Sequence, residues 1–145
     1  MGKTKGRPQR GKLVSMAIVP PPDEPYEPPP PEECEAFTER ILLMRGHRLS
    51  IRRVFRIGQN VVVEFGVNQV VRIDGAWVDV ARIDTAHGKV HRHQFTKDGD
   101  NHVETLEVIP SRGGEDVVDR WCDVAAEMMQ NGWQENLGRW NGDDQ

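Results

Sequence analysis

The chain reads as a small α+β domain: a largely antiparallel sheet of about five strands, laid out as a hairpin meander, with two helices packed on it behind a disordered proline-rich arm. Three observations predict this. From Leu49 onward the apolar residues are β-branched and alternate or run together as in strands. Two Asp-Gly pairs, Asp74-Gly75 and Asp98-Gly99, sit between such runs, and this dipeptide suits a two-residue hairpin turn of type I′. A segment at each end carries apolar residues at helical spacing instead.

Residues 1–31 are expected to form the arm. Met1 to Lys12 carries Lys3, Lys5, Arg7, Arg10 and Lys12 among glycines, with nothing apolar to bury. Met16-Ala17 offers a second start. Pro20 to Pro31 holds φ fixed and lacks donors, so a stiff polyproline II spacer is expected, open to docking on an aromatic groove. The single domain is then expected over 32–140, with 141–145 as a frayed tail.

Glu32-Glu33-Cys34-Glu35 puts negative charge where a helix start favours it, and Phe37, Ile41 and Met44 repeat at helical spacing up to Gly46. A first helix is expected there. A strand follows over Leu49 to Ile57, with Arg52, Arg53 and Arg56 on its outer side and a turn at Gly58-Gln59-Asn60. Val61 to Ile73 is a long β-branched run with Gly66 marking a bulge or bend. The Asp74-Gly75 turn pairs Ile73 with Ala76, Val71 with Val78 and Gln69 with Val80. After Gly113-Gly114 a second helix is expected from Glu115 to Gln130, ending at Asn131-Gly132, with Trp133, Leu137 and Trp140 adding a turn that packs back.

The composition narrows the function. Net charge is -4 across 145 residues, which does not suit a duplex binder working through a clustered basic surface. No run of about 18 apolar residues exists, so no membrane helix is expected. Leu13 to Val19 is too short for a secretory signal. Cys34 and Cys122 are expected as free thiols in a reducing cytoplasm. No phosphate-binding loop, dinucleotide fingerprint or nucleophile elbow occurs, and no motif demands a cofactor.

Chemistry concentrates between Ile83 and Val103, which holds four of the five histidines. His91 and His93 leave a strand on one side, about 7 Å apart. Pairing Lys97 with Asp100 across Asp98-Gly99 sets Phe95 opposite His102, His93 opposite Glu104 and His91 opposite Leu106, which adds His102 and Glu104 to that side. Three uses stay open. His87, His91 and His93 could transfer protons, with Asp84 orienting them and Arg82 or Arg92 holding phosphate; on a regular strand Arg92 points the other way. His91, His93, His102 and Glu104 could hold a divalent metal such as zinc. The same residues could be a solvated face of a non-enzymatic accessory or protein-binding module. Asp84 to Gly88 is likewise either an ordinary Asx-type turn or a corner in which Asp84 orients His87 or His91.

The run from Arg82 to His93, R-I-D-T-A-H-G-K-V-H-R-H, resembles the core motif of a family of short, uncharacterised bacterial and phage proteins. The motif falls on Arg82, Asp84, His87, Gly88, His91 and Arg92, with Ile83 where the family carries an aromatic residue. The likeness spans about Val61 to Trp140 and implies no activity. More loosely, the Arg-x-Asp-x-x-His corner is similar to TumE-type toxins of toxin–antitoxin modules. That likeness implies interference with RNA or translation, with RNA or a cognate antitoxin as partner.

Overall fold

The computed structural model describes residues 24–143. The basic segment Met1 to Lys12, the second start and the first part of the proline run lie outside the described residues. The fold is α+β, as the sequence predicts, but among the described residues it has six strands and one α-helix. The strands are β1 (Cys34–Met44), β2 (His47–Arg56), β3 (Val62–Ile73), β4 (Ala76–Ala86), β5 (Lys89–Phe95) and β6 (Asn101–Val108). They form one antiparallel meander in the order β1-β2-β3-β4-β5-β6, followed by α1 (Gly114–Trp140).

The expected first helix is strand β1. Its residues pair with β2 from Cys34↔Arg56 to Met44↔His47. Phe37 and Met44, two members of the expected helical stripe, are 57% and 55% exposed. Ladder hydrogen bonds to β2 therefore override the helical spacing. Gly46, expected as a helix stop, instead takes φ 80 in the turn into β2.

The second helix runs straight through Asn131-Gly132 to Trp140. Val118, Cys122, Ala125, Met129, Asn136 and Trp140 form its buried stripe. They pack on Leu49, Ile51, Phe65, Val67, Val71, Ala81, Ile83 and Val90 from the sheet. Full burial of side chains such as Leu49, Ile51 and Phe65 stabilises by roughly 1.5–3 kcal/mol each.

Order begins before residue 31. Tyr26 is 7% exposed and its hydroxyl donates to the Val63 carbonyl at 2.8 Å. Its ring occupies the space that a Cβ on Gly114 would need. Pro25 lies over Gly88 in the same way. Burial is the main cause that pushes the Tyr26 pKa up to about 12, with Glu115 adding to it.

Bulges decide which residues share a side. At Asp74-Gly75 both φ values are positive (51 and 84), the expected type I′ turn, with Ile73↔Ala76 and Val71↔Val78. The ladder then slips, so Gln69 pairs with Ala81 and not with Val80. Val80 is the extra residue of a bulge in β4. This rephasing puts Asp79 and Arg82, three residues apart, in ion-pair contact at 3.5 Å.

The β5–β6 hairpin departs from the expected register by one residue. Phe95 pairs with Asn101, Gln94 with His102, His93 with Val103 and Arg92 with Glu104. Thr96 N–H donates to the Asp100 carbonyl at 3.0 Å, leaving Lys97, Asp98 and Gly99 as a three-residue loop. Gly99 alone takes the left-handed conformation, at φ 94.

Candidate active site

The helix covers one face of the sheet and leaves the other open. Paired residues in an antiparallel ladder share a side. Asp84 pairs with His91 and Arg82 with His93, so these four project together from the open face. The β4–β5 turn places them. His87 and Gly88 take φ 54 and 75, making a two-residue turn of type I′ between Ala86 and Lys89. The expected Asx-type corner is thus a tight hairpin with His87 exposed at its tip.

One oxygen of Asp84 and one ring nitrogen each of His91 and His93 lie within 4.8 Å of one another. His93 Nε2 stands 3.4 Å from Asp84 Oδ1. The His91 and His93 rings meet edge to face with centroids 6.0 Å apart. Phe95 stacks on the other side of His93, also at 6.0 Å and nearly parallel. Asp84 Oδ1 and His93 Nδ1 are buried with no aligned hydrogen-bond partner among the described residues. Desolvation, partly offset by Asp84 and reinforced by His93, Lys89 and His87, lowers the His91 pKa from 6.5.

The other sequence-predicted residues divide between the two faces. Arg82 adjoins the cluster, with Nη1 at 3.8 Å from Asp84 Oδ2. It is heavily engaged: its Nε donates to Asn68 Oδ1 at 2.9 Å and its guanidinium lies over the Phe95 ring. Arg92 projects to the helix side, where it donates to Asn136 Oδ1 at 3.2 Å. His102 and Glu104 follow it there, because the slipped register pairs them with Gln94 and Arg92. The four-residue metal set His91, His93, His102 and Glu104 is therefore split, and Asp84 stands where Glu104 was expected.

Beside the cluster the open face forms a groove of about 470 Å³ across β1 to β4. Arg40, Arg48, Arg52 and Arg82 line it, against two carboxylates, Glu64 and Asp84. Arg48 stacks on Trp77 with its guanidinium 4.1 Å from the ring centre. Sequence reading misses Arg40 and Arg48, since Arg40 falls within the expected first helix. It places Arg52 correctly on an outer face, but groups it with Arg53 and Arg56. Those two are in ion pairs with Glu39 and Glu115.

Among the described residues no helix is long and apolar enough to cross a membrane. No curated protein and no solved structure matches the chain. A family model, described as a domain of unknown function (DUF7718), matches residues 33–142 and takes in the whole R-x-D-T-A-H-G…H-R segment. The chain belongs to that family, DUF7718.

Proposed function

We propose that the open face binds a single-stranded RNA chain and that Asp84, His91 and His93 carry out proton transfer on it. The observation that supports this most is the convergence of the three groups at the end of an arginine-lined groove. Arg40, Arg48 and Arg52 meet the phosphates, and Trp77 offers a ring for stacking. The lowered pKa keeps His91 neutral near pH 7, as a general base must be. His91 takes the proton of a ribose 2′-hydroxyl, whose oxygen attacks phosphorus. His93, held beside Asp84, gives a proton to the departing 5′-oxygen as the P–O bond breaks. The likeness of the Arg-x-Asp-x-x-His corner to TumE-type toxins supports the same substrate, and a cognate antitoxin would then be the protein partner. The cytoplasm, where such substrates are found, is the matching compartment.

The test is cleavage of a labelled single-stranded RNA by the full chain. His91→Ala and His93→Ala should each lower the rate by about 100-fold or more while the fold persists. Arg52→Ala should weaken binding and reduce its salt slope by roughly one phosphate contact. Unchanged cleavage in both histidine variants would remove the catalytic role. Binding without cleavage would leave a non-enzymatic binding module.

A second reading rests on the same 4.8 Å triangle and its two unpartnered atoms. Two imidazoles and a carboxylate suit zinc, whose ligands lie at about 2.0–2.2 Å, with a position left for water. The two readings exclude each other, because a bound ion occupies the lone pairs that acid–base transfer needs. Stoichiometric zinc uptake that Asp84→Ala abolishes would select this second one.

A further inference from the structure

We propose a second ligand site on the helix side, built from Arg92 and Arg139, that binds a phosphate group. It is independent of the open-face reading. Arg92 Nη2 and Arg139 Nη1 both donate to one atom, Asn136 Oδ1, each at 3.2 Å. Two guanidinium groups are thus held around a single neutral oxygen. Among the described residues, neither is within ion-pair distance of a carboxylate, although four other arginines are. The nearby C-terminal end of α1 offers Arg139 only the partial negative charge of a helix terminus.

The arrangement is rigidly supported. Asn136 is 1% exposed, and its amide nitrogen donates to Gln69 Oε1 at 3.1 Å. Gln69 is fully buried and donates in turn to the Trp133 carbonyl at 2.8 Å. This chain of amides fixes Asn136 Oδ1 towards the two arginines. Gln94 is fixed as firmly, since its Nε2 donates to the carbonyls of Val80, Phe95 and Asn136.

These groups border a cavity of about 390 Å³ lined by Arg92, Gln94, His102, Val103, Glu104 and Arg139. That volume falls in the range of small-molecule sites, roughly 300–1,000 Å³. Planar guanidinium forks match the oxygens of phosphate, and two forks around one point match a tetrahedral oxyanion. Gln94 Oε1 is buried with no donor among the described residues, and Glu104 adds acceptor oxygens at the rim. A ligand oxygen that keeps a proton would satisfy such acceptors. Inorganic phosphate near neutral pH always keeps at least one proton, and a phosphate monoester keeps one in part of its population, whereas sulfate keeps none.

The experiment is calorimetric titration of the full chain with inorganic phosphate, a nucleoside 5′-monophosphate and sulfate. Saturable binding of phosphate or the monophosphate below about 10 mM is expected, with sulfate weaker. Tighter binding of the monophosphate assigns the site to a phosphorylated small molecule, and equal binding assigns it to free phosphate. Arg139 is exposed, so Arg139→Gln should stay folded, and it should weaken binding about tenfold or more. Arg120→Gln, whose guanidinium pairs with Glu107 outside the cavity, should leave the binding constant unchanged, whereas Arg52→Gln reports phosphate held in the open-face groove. No saturation by either phosphate ligand, full binding by Arg139→Gln, or loss in Arg52→Gln alone would overturn the site. Sulfate binding as tightly as phosphate would overturn its assignment to phosphate.

Discussion

Burial is the largest cause of the lowered His91 pKa, and its neighbours His93, Lys89 and His87 act in the same direction. In the unfolded chain the same imidazole titrates near 6.5. Below that value the unfolded state binds a proton that the folded state refuses. Stability is therefore full above pH 6.5 and falls as pH drops towards the lower, folded value. The thermal midpoint should decline as pH falls below about 6.5, and His91→Gln should flatten part of that decline. Proton NMR should find His91 titrating below 6.5, and titration at or above it would contradict the geometry. Asp84 opposes the shift, so Asp84→Asn should lower the His91 value further. At this scale the sequence was informative about near neighbours. Two histidines spaced i, i+2 had to share a side of a strand, and Asp84 entered through its corner. His102 and Glu104 could not be placed, because the loop length that sets their side is decided by one residue. Asp98-Gly99 suits both a two-residue and a three-residue turn.

Among the elements, the misassigned one is β1, and its failure has a physical cause. Phe37, Ile41 and Met44 satisfy helical spacing, but an apolar stripe makes a helix only where something covers it. Here the segment forms an edge strand, and most of its side chains remain in solvent on both faces. The β3–β4 hairpin was readable because its type I′ turn admits one register; only the Val80 bulge was hidden. Helix α1 exceeded its expected end because Asn136 and Trp140 are buried beyond Gly132, which outweighs the helix-breaking tendency of Asn-Gly. Gly132 itself contributes little: a Cβ there would meet nothing within 4 Å. Gly132→Ala should therefore stabilise the protein by about 0.5–1 kcal/mol, seen as a higher urea midpoint at unchanged slope. A lower midpoint would mean that the helix is distorted at this position.

For the molecule as a whole, a net charge of -4 conceals its distribution. Arginines gather in the groove of the open face, while Glu115, Asp116 and Asp119 line the start of the helix on the other side. Composition alone argued against nucleic acid because it averages the two faces, and only the strand register separates them. The fold class was visible in the turns and in the periodicity. The division into a covered face and an open one depended on bulges that no single residue announces. One consequence concerns where the domain truly begins. The family match starts at residue 33, yet Tyr26 fills a slot between β3 and the first turn of α1. A gene trimmed to that boundary would encode a protein with a missing plug and a stranded Val63 carbonyl. It should melt at lower temperature than a fragment starting at residue 24, with a loss of about 3 kcal/mol or more. Equal melting of the two fragments would show that the upstream peptide only rests on the domain it adjoins.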